Sequence, residues 1–581
     1  MSNRLKLLCG LMLVLLAGLV IPFLTSRSGR NQSTIISQQL AESKATKDSV
    51  RNAMRYLQRM TPLNRAQTAK EVQLELNTWM KDADLTQAKY SPSKLLDPLP
   101  ADMLEFVGCQ SPISLQFSQW DIDYLFERRM MDKLSNWIVQ APLRDNFIAS
   151  VLEKKTKKLS PEDALRLGEA YKLFDWVMRN VALESELAGV EQKAADPSGE
   201  IVDNGFGYGY LPWETLLFSF GDFIEKGRVF TSLAAQRDIA TAWISDNGII
   251  WAIAVLVGDE VYVFEPKLGL PILEPDEVRL ATLKEARENP RVLRRLDLPG
   301  QKDYAFNPGD LKSIELLIDL PPTAASARMK LLEQNLLSDE RMNVYFDIDA
   351  IAAQLSAAVP DATVKLWQVP VQAQVHAAGV RDQLRTVSDF TVKYMTKHGV
   401  WMMDNPAANG RMNHLLGVFE SEVAKQGALS QYMECRFDEE SLRQLLYDPT
   451  VQRELGVPRM PGEEKERFDQ RLLQAQFVFR KAKVDSAFLM AQLHFDRGNY
   501  SAAENWFRKR VIDNQNPLAE QWNAISRYSL ARIYQEQEDL EKLTEQLRYE
   551  PSTMEAGNRL RLRYLRNFLE SDEASDSPQD S

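Results

Sequence analysis

The sequence predicts an α+β protein built from several units: a single N-terminal membrane helix, a mixed core of helices and strands, a small α/β unit and an all-α C-terminal region. Three observations lead to this prediction. An apolar stretch covers residues 7–24. Three strand-like runs follow a helical pattern between residues 240 and 265. Beyond Val380 the apolar residues keep helical spacing.

Length and composition exclude several classes of protein. A chain of 581 residues is too long for one hydrophobic core, so about three or four folded units are expected. The formal net charge is −11. Because proteins that bind nucleic acids usually need a basic face, we expect no nucleic-acid partner. The cysteines and histidines are scattered, so we expect no metal site and no cofactor. Cys109 and Cys435 form either one disulfide or two buried free thiols.

The N-terminal apolar segment predicts a membrane anchor. Leu7–Leu24 is long enough to cross nearly the whole hydrocarbon core of a bilayer. Arg4 and Lys6 precede it, which favours a cytoplasmic N-terminus and a body delivered across the membrane. The expected location is therefore the inner membrane, single-pass, with the body on the periplasmic side. The alternative is a cleaved signal peptide and a secreted form, since Ser26 and Ser28 are small residues at the right spacing.

The region after the anchor is predicted to be a polar helical spacer that covers residues 29–110. Its apolar residues are too sparse for a robust core. The first compact helix is expected to start near Ser118, which can cap it while Asp121 occupies the third helical position. The core should therefore begin close to residue 111.

The core pattern alternates from helices to strands. Ser160, followed by proline and two acids, predicts the start of one helix, and a second long helix is expected from Pro212 to Gln236. Gly258 and Asp259 predict a two-residue hairpin turn. The strands expected around this turn are Ala240–Ile244, Ile249–Val257 and Val261–Glu265.

Two segments of this core resemble the transglutaminase-like (papain-like) superfamily. The segment "RVFTSLAAQRDIATAWI" (Arg228 to Ile244) resembles the helix that carries the nucleophile and its exit, and "IWAIAVLVGDEVYVFEP" (Ile250 to Pro266) resembles the hairpin that follows. The resemblance covers about 110 residues between Ser160 and Ile272. In this superfamily a Cys opens the helix, a His opens one strand and an Asp ends the next.

The resemblance places aliphatic residues where the reactive groups should be. The Cys position corresponds to Ile224, the His position to Ile250 (or Trp251 with a one-residue slip) and the Asp position to Glu265. Isoleucine can neither attack a carbonyl nor transfer a proton, so a degenerate site without catalytic residues is expected. The alternative is an unrelated α/β domain. The candidate groove residues are Trp213, Glu214, Asp222, Arg228 and Trp251.

The acids of that groove leave two interpretations open. Glu214 or Asp222 could be half of an acid–base pair. The competing interpretation is a set of surface ion pairs with Arg228 or Lys226. Nothing in the local pattern decides between them.

The C-terminal region resembles tetratricopeptide (TPR) repeats. Ala487–Phe507 carries the small and large residues of that pattern. The signature residues are Ala491, Gly498, Tyr500, Ala503 and Phe507. A second copy is expected about forty residues later, with Leu530, Ala531, Tyr534, Leu540, Leu543 and Leu547. The resemblance implies binding of protein or peptide partners, and the alternative is a helical stack that packs against its own chain.

The combination of parts resembles anchored bacterial envelope proteins. It predicts a membrane-tethered, non-catalytic scaffold or adaptor that binds partner proteins through the degenerate groove and the TPR-like helices. The alternative function is a hydrolase or transferase that acts on peptide or peptidoglycan through carboxylates. The predicted boundaries are 1–28 (anchor or signal sequence), 29–110 (spacer), 111–320 (degenerate transglutaminase-like domain), 321–380 (small α/β unit), 381–480 (helical region), 481–570 (TPR-like repeats) and 571–581 (disordered acidic tail).

Overall fold

The structure covers most of the chain beyond the N-terminal segment. No helix within the described ranges is both long and apolar enough to cross a bilayer. The predicted membrane segment at residues 7–24 and residues 576–581 of the predicted tail lie outside those ranges. The computed structural model describes residues 48–82, 89–143, 145–156, 159–184, 209–274, 279–298, 300, 303–403, 405–420, 427–549 and 552–575.

The strands form one large sheet and one small one. Their bounds are β1 (Ala182–Leu183), β2 (Phe220–Gly221), β3 (Thr241–Asp246), β4 (Ile249–Val257), β5 (Glu260–Glu265), β6 (Leu270–Pro271), β7 (Ile314–Ile318) and β8 (Thr363–Leu366). β1 and β2 pair in parallel. The other strands form a six-stranded sheet in the order β6-β5-β4-β3-β7-β8, antiparallel except for the parallel pair of β7 and β8. The fold is therefore α+β, as predicted.

Helices surround this sheet in the first two thirds of the chain. Phe174 and Phe230 lie on two of these helices, and their rings pack 5.1 and 5.8 Å from that of Phe264 on β5. The bounds are α1 (48–59), α2 (Arg65–Trp79), α3 (Ala101–Phe106), α4 (Gln119–Gln140), α5 (Asn146–Thr156), α6 (Pro161–Asn180), α7 (Pro212–Phe218), α8 (Phe223–Ala235), α9 (Leu283–Glu288), α10 (Pro290–Arg294), α11 (Ala327–Asn335) and α12 (Ile348–Ala358).

The last third of the chain is helical. A 3-10 helix (Pro517–Trp522) and a π-helix (Phe507–Ile512) interrupt its α-helices. The bounds are α13 (Val369–Thr386), α14 (Ser388–Met402), α15 (Pro406–Leu415), α16 (Ala428–Glu434), α17 (Glu439–Gln444), α18 (Pro449–Glu454), α19 (Lys465–Asp496), α20 (Tyr500–Trp506), α21 (Asn523–Glu536), α22 (Leu540–Leu547) and α23 (Glu555–Ser575).

The local signals for helix starts and for the hairpin are confirmed. The Ser118 side chain accepts a hydrogen bond from the backbone of Asp121, whose carboxylate accepts one back from Ser118 N–H. Ser160 caps α6 in the same way, with proline at the first turn. Gly258 adopts a positive φ of 59° between β4 and β5. These features follow from neighbours in sequence, which explains why the sequence predicts them.

The second long helix is not continuous, and the prediction of one helix from Pro212 to Gln236 is wrong. α7 ends at Ser219, which adopts a left-handed conformation with φ 63°. The next two residues form β2, and Asp222 then caps α8. The short strand β2 pairs with β1, and this tertiary contact outweighs the continuous helical pattern.

Two predicted boundaries also change. The segment predicted as a separate α/β unit extends the main sheet, because β8 pairs with β7 and Trp367 N–H donates to the carbonyl of Ile318 at 2.9 Å. Within this segment, Val344–Phe346 forms no ladder with the sheets of the described residues. The described part of the predicted spacer is not a spacer either, because Val72 and Leu76 of α2 are fully buried in the main core.

The C-terminal helices form antiparallel hairpins. Gly498, with φ 77°, makes the turn between α19 and α20, and Ala491 and Ala503 are fully buried where these helices meet. The second hairpin joins α21 and α22 through Glu538, which adopts φ 59° without being glycine. The last helix continues to Ser575, so the first residues of the predicted acidic tail are helical.

Candidate functional site

Helix α8 lies directly on the central strands of the sheet. A Cβ at Gly227 would lie 2.3 Å from the ring of Trp243 and 2.9 Å from Ile253, so only glycine permits this approach. Trp243 and Ile253 are themselves paired across β3 and β4. Because each of these elements runs back along the one before it, the start of α8, the start of β4 and the end of β5 lie toward the same end of this layer.

The three positions of the predicted degenerate triad are at this end. Ile224 is buried in the first turn of α8, Ile250 is half-buried at the start of β4, and Glu265 is buried at the end of β5. The ammonium group of Lys267 lies 5.8 Å from the ring centre of Phe223. That contact links the start of α8 to the residues just after β5.

Glu265 is part of a buried hydrogen-bonded chain with two aromatic residues. The hydroxyl of Tyr304 donates to Glu265 Oε2, and Trp251 Nε1 donates to the hydroxyl of Tyr304 at 2.6 Å. The ring of Phe306 packs 5.3 Å from that of Trp251. Tyr304 lies 39 residues beyond Glu265, and no signal in the sequence indicated it.

The chemistry available to Glu265 is limited by its burial. Burial raises its pKa to about 7, although the hydrogen bond from Tyr304 and the charge of Lys267 act in the opposite direction. A carboxyl group with this pKa can exchange a proton near neutral pH. Its side chain, however, does not line any of the cavities described below. A substrate would have to displace the aromatic residues to reach it.

The five residues predicted to line one groove have different local contacts, and the groove stays a prediction. Trp213 and Arg228 line a cavity of about 30 Å³, which has room for roughly one water molecule. Glu214 Oε2 accepts from Leu211 N–H at 2.9 Å, and Asp222 Oδ1 accepts from Glu225 N–H at 2.7 Å. Both acids therefore cap helices. Trp251 belongs to the hydrogen-bonded chain that includes Tyr304 and Glu265.

The two basic residues considered as partners of these acids are both buried. Arg228 pairs with the buried carboxylate of Asp319 at 3.3 Å. Lys226 is fully buried, and its Nζ has no hydrogen-bond partner among the described residues. Burial lowers the pKa of Lys226 to about 7. The sequence alone gave no reason to expect a fully buried lysine at this position.

The most spacious cavity described here lies between the core and the C-terminal helices, and we call it the β1 cavity. Its volume is about 330 Å³, within the range of pockets that bind small molecules or short peptide segments. Its walls combine acids, amides, one lysine and aromatic rings. They are Ala182, Leu183, Glu184, Phe220, Lys397, Glu520, Gln521, Trp522, Asn523, Ala524, Ile525, Tyr549, Thr553 and Met554.

The C-terminal hairpins pack on the core through buried charges. Arg532 of α21 bonds Asp145 at 2.8 Å and also pairs with Asp175 of α6. Arg561 of α23 reaches Asp145 at 3.0 Å. Asp496 at the end of α19 accepts a hydrogen bond from the indole of Trp176 at 3.0 Å. These contacts favour the alternative in which the helical stack packs against its own chain.

Two further features of the described residues are the state of the cysteines and the arrangement of possible metal ligands. Cys109 and Cys435 are both buried and free. Within the described ranges, no three Cys, His, Asp or Glu side chains come together in an arrangement that could hold a metal ion.

No protein-family model matches the chain, and no curated protein or solved structure matches it either. The resemblances to the transglutaminase-like superfamily and to TPR repeats therefore stay predictions that depend on the residues described above.

Proposed function

We propose that the protein is a non-catalytic scaffold or adaptor, tethered to a membrane, whose partner proteins bind in the β1 cavity. The proposal depends on one comparison, between the positions of the predicted triad and the β1 cavity. Ile224 and Ile250 supply no reactive group and Glu265 is covered by Tyr304, whereas the β1 cavity is open and large enough for a ligand.

The position of the β1 cavity also supports binding. It lies where two parts of the chain meet, and such junctions are frequent binding sites. The strands β1 and β2 and Lys397 form one wall, and the start of α21 forms another. A partner seated there would contact the core and the C-terminal hairpins together. The TPR-like stack therefore contributes to binding through its junction with the core, because part of its surface already packs on Asp145 and on α6.

The proposal is tested by crosslinking in membranes. We expect Ala524→Trp, which fills the β1 cavity with an indole, to abolish recovery of the partners captured by the full-length chain. Glu541→Gln, an exposed change outside the cavity, is the matched control and should recover the same partners. Equal recovery by both variants would contradict the proposal.

A hydrolase or transferase remains the second candidate because of one observation, the pKa of Glu265 near 7. General acids and bases are most effective when their pKa lies near the working pH. The test is turnover of peptide and peptidoglycan substrates by the wild-type chain and by Glu265→Gln. The scaffold proposal predicts no turnover that depends on Glu265, and a loss of measurable turnover in this variant would favour the enzyme.

A further inference from the structure

We infer that the β1 cavity binds an extended peptide segment with a basic side chain, through strand pairing at the outer edge of β1. This inference rests on the proposed function and specifies the ligand of the same cavity. Three features of the walls support it: the direction of the β1 backbone, an excess of hydrogen-bond acceptors and walls that aromatic residues hold in place.

The backbone of β1 has one edge that faces away from its partner strand. Ala182 N–H donates to Ser219 C=O at 2.8 Å, and Glu184 N–H donates to Gly221 C=O at 2.9 Å. Because strand residues alternate in direction, the N–H and C=O of Leu183 point to the opposite edge. In the described residues, no third strand joins this small sheet. An extended peptide can therefore pair with Leu183, as in other cases of strand addition.

The polar side chains of the cavity offer mainly acceptors. Lys397, the only cation among the wall residues that the structure describes, is already paired with Glu184 at 2.7 Å. Glu520 has no salt bridge to any described residue, and Asn523 Oδ1 is buried without a hydrogen-bond partner in the described part of the chain. A ligand that supplies donors and positive charge satisfies both groups, and a lysine or arginine side chain does so.

Aromatic residues fix the shape of the cavity walls. Trp522 is held in place because its Nε1 donates to Asp485 Oδ1 at 2.9 Å, and its ring stacks on Phe488 at 4.3 Å. The guanidinium of Arg527 lies 4.1 Å from the ring centre of Tyr549. Trp522 is almost fully buried and the ring of Tyr549 already carries a guanidinium, so these side chains hold the walls in place and a ligand can bind without new ordering of the protein.

The experiment measures peptide binding by fluorescence anisotropy with the full-length chain in detergent. The probes are two short labelled peptides of alternating Val and Thr that differ only in a central Lys or Glu. A third probe is the Lys peptide with N-methyl groups on the backbone, which cannot pair as a strand. We expect the Lys peptide to bind at least about tenfold more tightly than the other two.

Matched variants separate the two parts of the inference. Leu183→Pro removes the outward N–H and keeps the bonds of β1 to β2, so it should weaken binding of the Lys peptide, whereas Leu183→Ala should retain most of it. Glu520→Gln should reduce the preference for Lys over Glu, and Glu541→Gln should leave it unchanged. The thermal midpoint of each variant shows whether it is folded.

The results of these binding experiments distinguish failure of the inference from failure of the scaffold proposal. Equal affinity for the Lys and Glu peptides, or full binding of the N-methylated peptide, would overturn the inference. If all peptides fail to bind but Ala524→Trp still loses the crosslinked partners, the ligand class is wrong and the scaffold proposal stands. If the Lys peptide binds Ala524→Trp as well as it binds the wild type, the cavity is not the site and the inference is also overturned.

Discussion

Lys226 has an amine enclosed by the protein, and this makes stability depend on pH. Its folded pKa of about 7 is far below the ordinary value of 10.5. Between these two values the unfolded chain holds a proton that the folded chain lacks, so folding becomes more favourable as pH rises through this window. Below about pH 7 the contribution of Lys226 to the stability of the folded state stays at its lowest value. The full interval corresponds to about 5 kcal/mol.

We therefore expect Lys226→Met to stabilise the protein and to remove this part of the pH dependence. The measurement compares thermal midpoints at about pH 7 and about pH 10. Between these pH values the midpoint of the wild type should rise more than that of the variant. The exposed Lys393→Met is the control and should behave as the wild type does. If the thermal midpoints of Lys226→Met and Lys393→Met rise equally between these pH values, Lys226 is not buried as described.

Tyr304 should be essential to the ionised form of Glu265. The folded pKa of Glu265 lies above its ordinary value of 4.5, so its contribution to stability falls as pH rises from there to about 7. Above that pH the charged carboxylate depends on the Tyr304 hydroxyl. We expect Tyr304→Phe to cost about 1–3 kcal/mol near pH 8 and less near pH 5, as measured by thermal unfolding. Tyr447→Phe, an exposed change, should have no effect at either pH.

At the scale of elements, the contact of α8 with the sheet depends on one glycine. We expect Gly227→Ala to destabilise the protein by about 1–3 kcal/mol, because its methyl group would overlap the rigid ring of Trp243. Gly168→Ala on α6 is the matched control. No heavy atom lies within 4 Å of its new Cβ, so this change should stabilise the helix by up to about 1 kcal/mol. Denaturant midpoints of both variants test the packing directly.

The elements also show what sequence patterns can predict. The caps at Ser118 and Ser160 and the turn at Gly258 are local, and the prediction of β4 (Ile249–Val257) matches the structure in full. The break at Ser219 was missed because it depends on the pairing of β2 with β1, and Phe220 is far from its partner Ala182 in sequence. Periodicity alone carries no information about such a contact.

The candidate site was predictable only in part, for a similar reason. The resemblance identified Ile224, Ile250 and Glu265, and topology brings these positions toward one end of the layer. Tyr304 comes from a distant part of the chain, and its role follows from a tertiary contact. The β1 cavity is likewise formed by residues more than three hundred positions apart in sequence, such as Leu183 and Ala524. No local motif marks it.

For the whole molecule, buried charges join the C-terminal helices to the core. Arg532 neutralises Asp145 and Asp175 at once, and its removal leaves both acids with fewer partners. We expect Arg532→Met to cost about 3–5 kcal/mol in thermal or denaturant unfolding. Arg508→Met removes an exposed pair with Glu504 and should change stability by no more than about 0.5 kcal/mol. Similar effects of both changes would argue against a tightly packed junction.

The packing of the C-terminal helices on the core also limits what a deletion experiment can show. Deletion of the hairpins between Ser486 and Leu547 would remove Arg532 and leave Asp145 without one of its two arginine partners. Loss of function in such a deletion would then reflect damage to the core as much as loss of a binding surface. Point variants in the β1 cavity avoid this ambiguity.

The central claim is that partners bind in the β1 cavity and leave the degenerate triad untouched. Hydrogen–deuterium exchange of the full-length chain, with and without a crosslinked partner, tests it most directly. The account predicts new protection at residues 182–184 and 520–525 and unchanged exchange at the start of α8 and the end of β5. Protection around Ile224 and Glu265, with none along β1, would contradict it.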